Sequence, residues 1–586
     1  MNRVEQNLRD IVFPLLLALS IGALAGLGAV FFRWLIGIET GLFWTENSFL
    51  EQYQQASIWL KVGAPVLAGL AMGPLLAFVA PEVRGPGVPE VMSALALRDG
   101  IIRHRVTLAK SFATATFIAA GGSVGREGPI VQIGSSIGSS LTQLFRLGPD
   151  HRRLAVACGA AAGIAATFQA PMAGTLFAVE VLLFDLEVSS LSNIVIAAVT
   201  GTVVSKLFWS DETVFQIPFF TLNHPAELLL YFGLGIAAGL FSLLFMAFIF
   251  GLTRFLEKHQ VPVWLTPALG GLVVGCVGLV RPEALGVGYA TINAILHGHM
   301  LFAAAVALLF AKLITTSACV GSGMSGGIFA PSLFLGAALG SMIGSLALYI
   351  WPDMTLSPAH YALVGMGAVV AGTTLAPITA ILTIFELTYN YEIVLPLMTA
   401  CIPAIIVVRL LHGYSIYETK LLMQGIRIVR GHDANRLRRM KVKDYITRDF
   451  PVLRTQTPFH DLVADILNSA YPHFIVLDEQ DQLAGVLTLR DVRALLADPD
   501  YSGEGVIAAD LMTREVVTVE ETQNMEEAFH LFSSHHISFL PVLAKGEQKK
   551  VAGLLKKDDL LNAYNQHVLK AQVQPSARWI CTLPPK

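Results

Sequence analysis

Apolar segments follow one another from Ile11 to Leu411, and many are too short for the about 30 Å of hydrocarbon in a bilayer. Val106–Ala120, Met172–Phe184, Tyr361–Gly372 and Ile378–Leu387 are of this kind, and glycine or proline interrupts most of the others. In lipid every backbone N–H and C=O must be satisfied internally, so a break at that depth has to be buried in protein or line a cavity. Short, broken helices meeting near mid-membrane are the arrangement of transporters rather than of a simple helical bundle. The composition agrees: of 586 residues 54% are hydrophobic and only 14% charged, which makes the chain a polytopic membrane protein. Ile11–Phe32, preceded by Arg3, Arg9 and Asp10, reads as the first membrane helix and not as a cleavable signal.

The scattered cysteines Cys158, Cys276, Cys319, Cys401 and Cys581 form no framework, and His297-Gly298-His299 lacks a third ligand, so no metal is expected. A net charge of -3 gives no reason to expect nucleic acid.

Within this apolar background lies Gly125-Arg126-Glu127-Gly128-Pro129. A charged pair in lipid is costly unless it faces a cavity or a partner, so it marks a functional site. Pro129 suits the first position of a helix, and Gly125 and Gly128 allow a tight turn before it. Free amides at a helix start favour an anion through hydrogen bonds and the helix dipole. Glu127 therefore reads as a tethered plug that leaves when protonated or displaced. The alternative is an acidic cap serving only its own helix. Lys110 and Arg126 either raise the local positive potential or act as structural partners for a carboxylate.

The chain also repeats itself. Gly159-Ala-Ala-Ala-Gly-Ile-Ala-Ala-Thr-Phe-Gln-Ala-Pro171 is similar to Gly365-Met-Gly-Ala-Val-Val-Ala-Gly-Thr-Thr-Leu-Ala-Pro377 at an offset of 206 (365 minus 159). The match continues to Glu180 and Glu386, each nine positions after its proline (180 minus 171, 386 minus 377). Two related halves follow, parallel or inverted.

Three motifs in order, Gly85-Pro86-Gly87-Val88-Pro89-Glu90, Gly125 to Pro129, and Gly327-Ile328-Phe329-Ala330-Pro331, resemble those of the CLC family of chloride channels and proton-coupled chloride exchangers. The resemblance covers roughly residues 10 to 425. It implies a mostly α membrane protein with the CLC-type polytopic fold, two inverted-topology repeats of short broken helices. The anion site is implied where the halves meet, with Glu127 as the gate. By motif position the anion would be held at Pro86, Gly87, Arg126, Gly128 and the backbone amides of Ile328 and Phe329. Tyr417, in Ser415-Ile416-Tyr417-Glu418, matches the tyrosine whose hydroxyl contacts the same ion; without the family it would read as an interfacial anchor. The family also implies a homodimer.

Two positions depart from the commonest family pattern. Pro86 stands where a serine usually offers its hydroxyl, so one donor is missing and both chloride and nitrate are candidate anions. Val181 follows Glu180 where exchangers resemble one another in carrying a second glutamate, the internal proton acceptor. Valine carries no proton. Passive conduction gated by Glu127 is therefore the expectation, with proton-coupled exchange as the alternative, in which Glu180 relays the proton or Asp185 or Glu187 substitutes for it. A CBS-regulated cation transporter is a remote third reading, for which the membrane half is poor in carboxylates.

After the last apolar segment, Arg427, Arg430, Arg436, Arg438, Arg439, Lys441 and Lys443 form a basic stretch that by the positive-inside bias puts the C-terminus in the cytoplasm of a cell whose plasma (inner) membrane holds the rest. The expected divisions are a transmembrane domain over 1–426, a linker over 427–440, soluble modules over 441–500 and 501–570, and a tail over 571–586. Phe474–Leu477 with Leu483–Leu487, and Leu540–Leu543 with Val551–Leu555, read as paired strands. Gly485-Val-Leu-Thr488-Leu-Arg-Asp491 recurs as Gly553-Leu-Leu-Lys556-Lys-Asp-Asp559 at an offset of 68 (553 minus 485). This resembles a cytoplasmic α/β pair of CBS modules, in which Thr488, Asp491 and Asp559 would be candidates for an adenine nucleotide's ribose. Lys556 replaces the hydroxyl in the second copy. A purely structural pair is the alternative.

Overall fold

The computed structural model describes residues 12–44, 49–184, 188–209, 215, 220–222, 224–298, 300–353, 355, 357–426, 437, 440–469, 471–496, 505–535, 537–546, 549–560 and 562. Asp185, Glu187, His299, Cys581, the tail over 571–586 and most of the basic stretch before Met440 lie outside them. The chain divides into two compact units, Met1–Ile428 and Val429–Lys586.

In the first unit, seven helices among the described residues are long and apolar enough to cross a membrane, among them Phe13–Phe43, Glu227–Lys258 and Phe302–Gly321. Between them lie shorter pieces that sequence length alone marks as incomplete spans. The elements that build the site are α1 (Val88–Leu97), α2 (Glu127–Leu144), α3 (Pro149–Phe168), α4 (Pro171–Leu183), α5 (Tyr289–Leu296), α6 (Phe329–Ile350), α7 (Pro358–Thr374) and α8 (Pro377–Thr388).

The repeat is visible in the backbone. Helix α3 ends on Gln169 (φ 56°, ψ 34°) and α7 ends on Leu375 (φ 55°, ψ 33°), both left-handed. Ala170 (φ -123°, ψ 82°) and Ala376 (φ -122°, ψ 80°) then lead into Pro171 and Pro377, which start α4 and α8 without needing an N–H. Both halves also join at a two-residue bridge in which Gly125 N–H donates to Gly327 O and Gly327 N–H donates to Gly125 O, each at 2.7 Å. The mutual, antiparallel exchange between equivalent residues (327 minus 125 is 202) relates the halves by a local two-fold axis.

Small residues let the short helices close on each other. Helix α2 meets α3 where Gly134 faces Gly159, and α6 meets α7 where Gly336 faces Gly365. A Cβ on Gly336 would lie 2.6 Å from the Met366 Cα. With no hydrophobic force between helices in lipid, such backbone approach supplies the packing energy.

The second unit holds two three-stranded sheets of the same build: β1 (Val452–Arg454), β2 (His473–Leu477) and β3 (Leu483–Thr488), then β4 (Val519–Glu520), β5 (Phe539–Leu543) and β6 (Val551–Lys556). In each the first pair is parallel and the second antiparallel, and both antiparallel pairs carry an irregularity at the same place, Val476/Leu477 and Val542/Leu543. Their leading segments are exchanged: Thr447 bridges Leu554 in the second sheet, and Thr513 bridges Val486 in the first. The sequence repeat thus extends to register, and each module completes the other's edge.

Gly336→Val forces atoms into the α7 backbone, an overpacking that costs typically ~1–3 kcal/mol and more where the obstacle cannot move. Gly233→Val, at a glycine with open space around it, is its control. The expected result, read by size exclusion and thermal unfolding in detergent, is a large loss of folded Gly336→Val protein and little change in Gly233→Val.

Candidate functional site

Four helix starts meet at the join of the halves, and the repeat arranges them in two pairs. Helices α1 and α5 each follow a glycine at φ 92°, Gly87 and Gly288, in the left-handed region that side chains avoid. Helices α2 and α6 start immediately beyond the Gly125–Gly327 bridge. A Cβ on Gly87 would come within 2.9 Å of Gly128 O, and one on Gly128 within 3.0 Å of the Gly327 Cα, so the loops touch backbone to backbone. Pro86, Gly87, Gly128, Ile328 and Phe329 are therefore brought together as their motifs led one to expect.

Glu127 differs in detail from the sequence reading. Helix α2 begins at Glu127 itself, and Pro129 takes its third position, still among the first N–H groups that have no intrahelical partner. The carboxylate does not cap its own helix. It is 1% exposed and reaches across the join, where Oε2 accepts from the Ala330 N–H of α6 at 3.4 Å and Oε1 accepts from the Tyr289 hydroxyl of α5. It occupies the start of a helix from the other half, beside the orphan amides of Ile328 and Phe329, a place suited to a free anion.

Two buried lysines support the loops. Lys110 Nζ donates to Val83 O (2.9 Å) and Gly85 O (2.7 Å), and Lys312 Nζ donates to Ala284 O (3.1 Å) and Gly286 O (2.8 Å). Lys110 is thus bound to carbonyls, so of the two roles open to it the direct carboxylate partner is not the one its hydrogen bonds serve. Arg126 lies over the Tyr289 ring, 5.2 Å from its centroid, and lines a cavity with Arg33, Thr167, Ser205 and Trp209. The site's surroundings are cationic on both sides of the join, which favours anions.

Tyr417 is 2% exposed and within electrostatic reach of Glu127. Its short helix, Ile416–Met423, is fixed by a capping box in which Glu418 N–H donates to Ser415 Oγ (3.2 Å) and Ser415 N–H to Glu418 Oε2 (2.8 Å). Lys420 on the same helix pairs with Glu90 of α1 and donates to Arg84 O at 3.0 Å, tying Tyr417's helix to the first motif.

Glu180 sits apart from this cluster. Its carboxylate accepts from Ile378 N–H (3.2 Å), Thr379 N–H (2.8 Å) and the Thr379 hydroxyl (2.8 Å) at the start of α8. In return Glu386 of α8 accepts from Met172 N–H (2.9 Å) and Ala173 N–H (2.7 Å) at the start of α4. The repeated glutamates cap each other's helices. Val181 beside Glu180 is buried.

Sequence reasoning missed Tyr289 and Lys312. A second repeat would have found them, since Pro81-Glu-Val-Arg-Gly85-Pro-Gly87 parallels Pro282-Glu-Ala-Leu-Gly286-Val-Gly288 at an offset of 201 (286 minus 85).

In the second unit, Asp491 Oδ2 accepts from both the N–H and the hydroxyl of Thr488, each at 2.8 Å. Asp559 Oδ2 is buried without a hydrogen-bond partner among the described residues, and Lys556 lies over the Tyr471 ring at 4.2 Å.

Broken helices, paired repeats and a buried anion place held by a tethered carboxylate define a membrane anion-transport protein. The family model described as voltage gated chloride channel matches residues 68–409, and that of the CBS domain matches 442–498 and 508–566. A ClcB-like chloride channel protein of Ralstonia nicotianae is 35% identical over 68% of this chain and 95% of its own length. The H(+)/Cl(-) exchange transporter ClcA of Vibrio cholerae is 33% identical over 70% and 88%. A slow cyanobacterial Cl-/H+ antiporter superimposes with TM-score 0.63 at 24% identity, over 70% of this chain and 97% of that one. A eukaryotic CLC transporter gives 0.61 at 23%, over 93% and 98%. The chain belongs to the CLC family of anion channels and exchangers, with a CBS pair after its membrane unit.

Proposed function

We propose that the protein conducts chloride or a similar monovalent anion such as nitrate passively, with Glu127 as the gate. The observation that carries this reading is Val181, buried beside a Glu180 that is engaged by the facing helix. Val181 stands at the position expected of an internal proton acceptor, and the neighbouring Glu180 spends its carboxylate on three donors of α8. A carboxylate engaged by three donors of a neighbouring helix serves as that helix's cap. Proton-coupled exchange is the second reading, favoured by the names of the ClcA relatives. The anion would replace its hydration with neutral donors, the Ile328 and Phe329 amides and the Tyr417 hydroxyl, which bind without trapping. Loss of a hydroxyl at Pro86 suits a weakly hydrated anion, which keeps nitrate in view beside chloride. The expected assembly is a homodimer in the plasma (inner) membrane with the C-terminus in the cytoplasm, supported by the family's fold and by the basic residues after the membrane unit.

Paired flux from proteoliposomes tests the reading. Under a chloride gradient with potassium and valinomycin and no proton gradient, the expected result is anion efflux with flat external pH. Uphill proton movement in step with the anion makes the protein an exchanger. Glu127→Gln, neutral like the protonated gate, is expected to raise flux and to flatten its pH dependence; unchanged flux and pH response remove Glu127 from the gate.

For the second unit we propose an adenine nucleotide at the CBS pair, held by Asp491 and Asp559. The unpartnered Asp559 Oδ2 fits a ribose hydroxyl donor, because a buried acceptor left unmade is costly. Lys556, turned onto Tyr471, leaves that carboxylate uncovered by its own side chain. Titration of ATP and AMP into the full-length protein is expected to show saturable binding that weakens at least tenfold in Asp559→Ala; no heat or no change in that variant contradicts the assignment.

A further inference from the structure

Glu127 at the α6 helix start has one donor that is not part of the repeated backbone frame. Tyr289 occupies the first position of α5, and the residue equivalent to it in the first half is Val88 (289 minus 88 is 201), so the hydroxyl is an addition of one half only. Its placement is determined by its surroundings. Gly288, at φ 92°, turns the chain immediately before it, and the Phe334 ring fills the place a Cβ there would need, 2.6 Å from the Phe334 Cδ2. Phe215 meets the Tyr289 ring edge-on, with centroids 5.3 Å apart and planes at 89°. Arg126 covers the ring from the side of the gate. A guanidinium over a phenol draws electron density toward itself and makes the O–H a stronger donor.

We propose that Tyr289 is the latch of the gate: its hydroxyl donates to Glu127 Oε1, holds the carboxylate over the α6 amides, and sets how readily the gate is released. This rests on Glu127 being the gate. Both carboxylate oxygens are taken up by the second half, one on the Ala330 amide and the other on Tyr289. The Ala330 contact is long at 3.4 Å, so the phenol is the closer of the two donors. The other charged or titratable groups in reach of Glu127 are Arg126 beside it in the chain, Lys312 beneath the second loop, and Tyr417. Lys312 is committed to two carbonyls and Arg126 to the ring, which leaves Tyr289 as the side chain that touches the carboxylate.

The direction of the effect follows. A donor to the carboxylate holds it in the seated position; removing it favours departure. Tyr289→Phe keeps the ring, its Phe215 contact and the Arg126 guanidinium over its face, while deleting the hydroxyl. Chloride efflux across a pH series is to be compared for the full-length wild type, Tyr289→Phe, Glu127→Ala and the double variant. The expected result is a flux at neutral pH about tenfold above wild type for Tyr289→Phe, as for loss of a hydrogen bond to a charged group. The double variant is expected to match Glu127→Ala, because a latch has nothing to hold once the carboxylate is gone; its activity also reports that the chain has folded. Wild-type flux and pH profile in Tyr289→Phe overturn the latch while an elevated Glu127→Ala flux leaves the gate standing. Equal changes on adding Tyr289→Phe to wild type and to Glu127→Ala overturn it too, by making the residue merely structural. A Glu127→Ala flux no higher than wild type overturns the gate and the latch together.

Discussion

Unmade hydrogen bonds at helix starts are the constraint from which the membrane unit is built. A helix that begins at depth exposes amides with no intrahelical partner, and lipid offers them nothing. Here the starts of α2 and α6 meet at the Gly125–Gly327 bridge, where two amides and two carbonyls satisfy each other. The amides that remain require an acceptor. Glu127 supplies one from within the chain, and its own burial becomes tolerable because those donors, Tyr289 and the nearby cations repay its lost hydration. Each group is costly alone; together they form a site whose acceptor is exchangeable for an anion.

Duplication supplies this arrangement with symmetric supports and an asymmetric centre. Lys110 and Lys312 hold the carbonyls of equivalent loops, and Glu180 and Glu386 cap equivalent helices of the opposite half. Around the join, however, Arg126-Glu127-Gly128 in one half faces Ile328-Phe329-Ala330 in the other (329 minus 127 is 202). One copy carries the charge and the other presents the amides. The same division recurs at Val88 and Tyr289, where only the second copy has a hydroxyl. Function resides in those few differences on a frame that the repeat keeps common.

The fold was legible where the chain repeats or breaks. Lengths of apolar segments, the Gln-Ala-Pro171 and Leu-Ala-Pro377 helix ends and the 68-residue period of the CBS pair each correspond to an observed element. The site was legible through its glycines, which mark where backbones must touch. What could not be read was the reach of side chains across the join. Glu127 reads from sequence as a plug, with a cap of its own helix as the alternative, and only the structure shows that the helix start it occupies is that of the facing α6. For Lys110 the sequence left a source of positive potential and a carboxylate partner both open, and it did not show that the ammonium would be held by the carbonyls of Val83 and Gly85. Tyr289 escaped because one tyrosine in an apolar segment has many ordinary explanations, and only alignment with the first half shows it standing beside the gate.

The central claim is that the Glu127 carboxylate occupies an anion's place. Anomalous diffraction from crystals grown in bromide, for the wild type and Glu127→Gln, tests it directly. The account predicts a bromide peak in the variant against the Phe329 and Ala330 amides, where the wild type shows the carboxylate and no bromide. A bromide in that position beside a seated wild-type carboxylate, or none in the variant at saturating bromide, would contradict it.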